Sequence, residues 1–399
     1  MIMKPLKLWW LAAIGIAVTV PDQAQTWTSA MPSHHWVSVT SSADGSKLAV
    51  AAANGPIYLS LNSGASWEQA NVPVTNYWSA VAISTNGSIL TAVAINGPIY
   101  ISTNSGNTWA RANVPSTNWV SVALSADGTR MLASATNGPI YLSSDSGQTW
   151  TKAQVSLTLA GGSIKPSWGA AASSADGSRL MVLNQQNGAN CTALSTDSGM
   201  TWTNVGQDIV QNAITCSADG KKVFVNDGGA IIAWTNGLDT AGSGFYYNTI
   251  YTAIGLWPFT LTAIASSTDG NHLVVATSIG KICTSTNAGA AWTLTAAPGG
   301  DWTSVASSAD GSRLVAVSSD GNIIVSGLIG TIPPPALSIA TSGGNSILSW
   351  PVSPSNYALQ QNSSLVTSNW TNVPIAPTLM NQVAAPIAGG SLFYRLKAD

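Results

Sequence analysis

Apolar and polar residues alternate along most of the chain in short runs, each cut off by Gly, Asn, Asp or Ser. A period of two marks strands, because successive side chains leave a strand on opposite faces. In the segment 119–150 the run WVSVALS predicts a strand, ADG a turn, RMLASA a second strand, NG a tight hairpin turn and PIYLSS a third strand. SDSGQTW then turns the chain into a fourth strand.

This unit recurs. Its Asp-Gly or Asn-Gly turn places glycines at Gly45, Gly87, Gly128, Gly177, Gly220, Gly270 and Gly311, at intervals of 42, 41, 49, 43, 50 and 41 residues, so there are seven copies, two of them with insertions. A four-stranded antiparallel sheet that is apolar on both faces needs another sheet against each face, which predicts a propeller blade. The expected fold is all-β: a seven-bladed β-propeller of four-stranded blades. The last copy starts at Trp302 and ends after GNIIVSGLIG without a fourth strand, while QTWTSAMP near the N-terminus supplies that ending. Residues 25–30 are therefore expected as the outer strand of the seventh blade, closing the ring and removing an exposed sheet edge.

Outside the ring, Lys4 and Lys7 precede an apolar run over 8–20, with Ala24 as a cleavage residue, and 1–24 reads as a signal peptide. The run is shorter than the ~20 apolar residues of a membrane span. A secreted, cell-surface or periplasmic protein without a membrane span is expected, with the propeller over 25–330. TIPPPA makes 331–336 a Pro-rich linker, and 337–399 alternates like a small β-sandwich of fibronectin-like or immunoglobulin-like type, with Trp350, Trp370 and Phe393 as core candidates.

Composition narrows the partners. Charged residues make up 8 % of the chain, against roughly 25 % in an average soluble protein. With 14 Lys plus Arg against 16 Asp plus Glu and no basic cluster, the footprint for gripping a phosphate backbone is missing. Nucleic acid is not an expected partner, and a monomer is expected. Cys191, Cys216 and Cys283 allow one bridge at most, and buried thiols are the plainer reading.

The turn segments SLNSGASW, STNSGNTW, SSDSGQTW, STDSGMTW and STNAGAAW resemble the Asp-box, or BNR, pattern S-x-D-x-G-x-T-W of the sialidase-like superfamily. That family includes sialidases, some glucan-cleaving hydrolases, sortilin-type receptors and photosystem assembly factors, so the resemblance implies a fold and leaves function open. The repeated turn residues read as folding devices: Asp145, Asp197, Asn62, Asn104 and Asn287 can bond backbone N–H groups of their own turns. Trp67, Trp109, Trp150, Trp202 and Trp292 can fill the space between blades.

The resemblance also implies what a sialidase would need, an arginine triad. Arg130, Arg179 and Arg313 all follow the DG glycine by two residues on the face opposite the expected binding loops, and only Arg111 is left to approach those loops. Other glycosidases generally need two carboxylates about 5–10 Å apart. Glu68 adjoins a turn Trp and most aspartates belong to repeat turns, leaving Asp208, Asp239 and Asp301, with Asp227 or Asp320 as further partners. His34 and His35 are adjacent, so in a strand they point opposite ways, and no metal site or cofactor is expected.

One constellation stands out on the loop face. Trp36, Trp78, Trp119, Trp168 and Trp302 recur nine residues before the turn glycine, and Asn54, Asn96 and Asn137 recur at NGP turns. Aromatic faces beside amides suit sugar rings, although a repeating Trp also suits the wedge between blades and Asn-Gly a tight hairpin. The expected function is a non-catalytic extracellular binding or scaffold propeller whose ligand is a glycan or a surface protein. The alternatives are a glycoside hydrolase or lyase using Asp208, Asp239 or Asp301, and an assembly factor for an exported complex. The insertion over 237–259 is the most individual part of the ring and a candidate for specificity.

Overall fold

The computed structural model describes residues 26–29, 34–155, 158–159, 162–163, 167–184, 191–206, 213–228, 230–234, 245–249 and 259–327, and the strands within 338–342, 345–349, 357–362, 371–372, 382–386 and 393–398. Among the described residues every regular element is a strand. No described helix is long and apolar enough to cross a membrane.

The alternating runs pair as the pattern predicts. In blade 3, Trp119–Leu124, Met131–Ala135, Ile140–Ser143 and Thr151–Lys152 form one antiparallel sheet in chain order. Blades 1, 2, 4, 5 and 6 repeat that order from the inner strands Trp36–Ser41, Tyr77–Ile83, Trp168–Ser173, Ile214–Cys216 and Leu261–Ser266. Blade 7 has three consecutive strands, Trp302–Ser307, Leu314–Ser318 and Ile323–Gly327, and takes Thr26–Ser29 as its fourth. Thr26 lies opposite Gly327 and Ser29 opposite Ile324. The molecule is a seven-bladed propeller closed by its N-terminal strand.

Burial explains why the blades must assemble. The second strands LAVAA, MLASA, LMVLN, LVVAT and LVAVS are buried at every position, so both faces of each are covered by a neighbouring sheet. The core is thus a series of seams: Trp78 of blade 2 packs with Ala51 and Ile57 of blade 1, and Trp36 of blade 1 packs with Val317 and Ile323 of blade 7. At about 1.5–3 kcal/mol for each large aliphatic side chain buried, an isolated blade would forgo most of its stabilisation.

The turns fix the spacing. In every blade a Ser hydroxyl donates to the aspartate or asparagine two residues on, as Ser42 does to Asp44 at 2.6 Å, and the same Ser accepts the amide of Lys47 at 3.0 Å. Gly177, at φ 67°, lies against the Arg130 side chain of the preceding blade, where an added Cβ would come within 2.5 Å of Cδ. Beside these turns the blades are bonded backbone to backbone. The amides of Ala43, Thr85, Ala126, Ala175, Ala218 and Thr268 each donate to the carbonyl of the matching residue in the following blade, at 2.7–2.8 Å.

Strand alternation sends the DG turns and the tryptophan turns to one side of the ring, and the NG hairpins and inter-blade links to the other. The segments expected as a signal peptide (1–24) and a Pro-rich linker (331–336), together with Trp350 and Trp370, lie outside the described residues. Toward the C-terminus, Ser338–Ser342, Asn345–Ser349 and Gln382–Pro386 form one three-stranded sheet, and Thr371–Asn372, Tyr357–Asn362 and Phe393–Ala398 form another.

Candidate functional site

The five repeated tryptophans begin the inner strands on the NG side. Their rings are covered: Trp36, Trp78, Trp119, Trp168 and Trp302 are between 0 and 2 % exposed. The indole N–H of Trp78 donates to the carbonyl of Gly55 in the preceding blade at 3.0 Å, and Trp36 and Trp302 make the same bond to Gly321 and Gly280. Tyr58, Tyr100 and Tyr141 meet Trp36, Trp78 and Trp119 edge to face. A ring enclosed in this way wedges two blades and has no face left for a sugar, so what it does is hold the rim above it. In blade 6 Leu261 takes this place, opposite Thr277 as Trp302 is opposite Ser318.

The residue before each wedge stands at the rim. His35, Tyr77, Thr260 and Asp301 are exposed there, and Asn118 and Ser167 are half-buried. The second strand anchors this position through its backbone: Ala53 donates to His35 O at 2.8 Å, Thr136 to Asn118 O at 2.9 Å, and Ser319 to Asp301 O at 2.9 Å. Tyr77 lies opposite Ile95. Both are open to solvent, at 56 % and 42 %. Asn54, Asn96 and Asn137 are exposed on the same side. His34 turns inward instead, edge to face with Trp36 at 5.0 Å, which leaves His35 outside and separates the two imidazoles.

Blade by blade the rim is uneven. Blades 7, 1, 2 and 3 carry Asp301, His35, Tyr77 and Asn118, while blades 4 and 6 carry Ser167 and Thr260, and the matching position of blade 5 lies outside the described residues. One half of the mouth therefore offers a carboxylate, an imidazole, a phenol and an amide in sequence. Sequence reasoning gave the wedge its weight because a repeated residue is visible as a period. The rim position varies from copy to copy, and its signal is that one variable position sits immediately before a constant one.

The described carboxylates of the repeat turns are committed to the fold. Ser174 and the amide and hydroxyl of Ser178 donate to Asp176 and lower its pKa to about 2 against a small opposing effect of burial. Ser267 and the amide of Asn271 do the same for Asp269, also to about 2. Asp320, at the blade 7 hairpin, is held below the usual carboxylate range by the Ser318 hydroxyl, against burial, and by Asn322 and the backbone amide of Asp301. A general acid needs a raised pKa, and these groups are held ionised. Of the three candidates, Asp301 is exposed at the rim near Asp320, while Asp208 and Asp239 lie outside the described residues.

Other chemistries fare similarly. Among the described residues no three His, Cys, Asp or Glu side chains group as metal ligands. Burial pushes the Cys216 thiol up to about 12 and the Cys283 thiol up to about 11, far from a thiolate nucleophile. Arg313 binds Ser63 of the next blade at 2.6 Å, and Arg130 binds Ser198 likewise, so both latch seams on the DG side. Arg111 bonds Ser116 at 3.3 Å.

No protein-family model and no curated protein matches the chain. Solved structures match it as folds. YCF48 from Cyanidioschyzon merolae has a TM-score of 0.60 at 14 % identity, covering 75 % of this chain and 98 % of that one. The Cps50 (Swd1) β-propeller domain of Myceliophteria thermophila has a TM-score of 0.58 at 12 % identity, covering 76 % and 99 %. The GH74 enzyme of Niastella koreensis has a TM-score of 0.60 at 17 % identity, covering 82 % of this chain and 59 % of the enzyme. Identities this low carry the propeller fold and nothing finer.

Proposed function

We propose that the chain is a non-catalytic extracellular binding propeller of the Asp-box type, carrying a signal peptide over 1–24 and a small β-sandwich over 337–399. Its ligand is a glycan, taken at the NG-side mouth by Tyr77, His35, Asp301 and Asn118, with Asn54, Asn96 and Asn137 around them. The observation that carries this reading is the exposed Tyr77 and Ile95 pair, open to solvent beside Asn96 and directly above a wedge that is fully enclosed. An aromatic face with an imidazole and amides beside it supplies both the stacking surface and the hydroxyl partners of a sugar ring. Screening the mature protein on a glycan array tests it, with Tyr77→Ala as the comparison.

A surface-protein ligand is the outcome if the array is silent and an extracellular protein binds the same rim. YCF48 bound to a D1 peptide shares the fold at a TM-score of 0.58 and 11 % identity, so a propeller of this shape can carry a peptide. A glycoside hydrolase or lyase is the second reading. It is favoured by the exposed Asp301 carboxylate at the blade 7 rim, whose own backbone amide bonds the Asp320 carboxylate, and by the GH74 enzymes that share the fold. Release of sugar from a polysaccharide, abolished by Asp301→Asn, would establish it in place of binding.

A further inference from the structure

A cleft of about 300 Å³ opens between blades 3 and 4, bounded by Arg130 and Lys152, by Met131, Leu142 and Leu180, and by Met200. The matching seam between blades 7 and 1 encloses about 20 Å³. We propose that this open seam is a second binding site, independent of the rim, which takes an extended acidic peptide as an added strand along the edge of blade 3.

Three observations converge on that occupant. The first is charge. Arg130 donates to the neutral Ser198 hydroxyl, and Asp176 beside the cleft is spent on Ser174 and Ser178. Two cations at one opening are conspicuous in a chain with only 14 Lys and Arg, and a carboxylate is the partner that satisfies them. The second is an apolar lip. Met200 is 78 % exposed where the matching turn position holds Ala65, Asn107, Gln148 or Ala290 in the other copies. A flexible thioether at that place can fold onto an apolar side chain.

The third is a free edge. Thr151 lies opposite Leu142 and Lys152 opposite Tyr141, and the amide of Ala153 donates inward to Ile140 at 2.9 Å. Strand alternation then turns the backbone groups of Lys152 and Gln154 outward, on the side of blade 3 that pairs with no further strand among the described residues. An extended peptide can bond to that edge while alternate side chains reach the cleft, so the backbone gives affinity and Arg130 with Lys152 gives the preference for acid.

The test uses the mature full-length protein and a fluorescein-labelled, acetylated peptide of alternating glutamate and leucine, followed by fluorescence polarisation. The peptide is expected to bind, and its lysine-for-glutamate counterpart to bind at least about tenfold more weakly. Lys152→Gln, an exposed change, should weaken binding with an unaltered melting temperature, and Arg130→Gln added to it should weaken binding further. Gln154→Pro removes only an outward amide and should also lose the peptide, whereas Tyr77→Ala should leave it bound. Absence of binding by the acidic peptide, equal binding of the basic one, or unchanged affinity in Lys152→Gln or Gln154→Pro would each overturn the proposal.

Discussion

The amide of Ala309 in blade 7 donates to the carbonyl of Ala43 in blade 1 at 2.7 Å. Together with the six bonds from Ala43 round to Ala309, it completes a closed belt of backbone hydrogen bonds that passes through every blade. The belt is the backbone counterpart of the side-chain seam around Trp36, which packs the first blade on the seventh, and it accompanies the closure of blade 7 by Thr26–Ser29.

Removal of 26–29 should therefore lower the melting temperature of the whole ring. The deletion uncovers an edge of Ile323–Gly327 and takes Trp27 away from the cluster containing Val305 and Leu314. Calorimetry of the truncated protein is the check, and an unchanged transition would mean that the ring closes without this strand.

The wedges and the rim should separate by their energetics. Trp78→Ala leaves a cavity between blades 1 and 2 and should cost about 3–5 kcal/mol, the range for large buried aromatics. Tyr77→Ala, one residue away but exposed, should cost within about 0.5 kcal/mol. Chemical denaturation of both variants measures the contrast.

Acid should loosen the turns. The Asp176 and Asp269 carboxylates have folded pKa values of about 2, below the ordinary 3.8. Their contribution is complete above 3.8 and is lost as the pH falls through about 2, because the unfolded chain takes up protons first. The denaturation midpoint should hold steady from neutral pH down to about 5 and drop between about 4 and 2. Asp176→Asn with Asp269→Asn should make that drop shallower.

Thiol reactivity should report folding. In a Cys191→Ser background, Cys216 and Cys283 are expected to resist a disulfide reagent at mildly alkaline pH in the native protein and to react promptly once it is unfolded. Burial holds both thiols protonated, at about 12 and about 11.

Much of the fold is readable in the chain because it rests on local chemistry that repeats. The glycines from Gly45 to Gly311 must recur where each DG turn takes positive φ, and the missing end of blade 7 reappears in QTW. The site is less readable for the same reason. A tryptophan that wedges blades and one that stacks on a ligand share a period, and only three-dimensional burial distinguishes them. Tyr77 carries no period, since its value to a binding rim is that it differs from His35 and Asn118. The seam cleft depends on Arg130, Lys152 and Met200, which are distant in sequence and meet only across two blades.

Isothermal titration of a glycan found on the array, with parent protein and Tyr77→Ala at matched melting temperature, tests the central claim most directly. The parent should bind, and the variant should lose at least about 1 kcal/mol of affinity, the worth of one aromatic stacking contact. Equal affinity in the two proteins would contradict the assignment of recognition to the rim above the wedges.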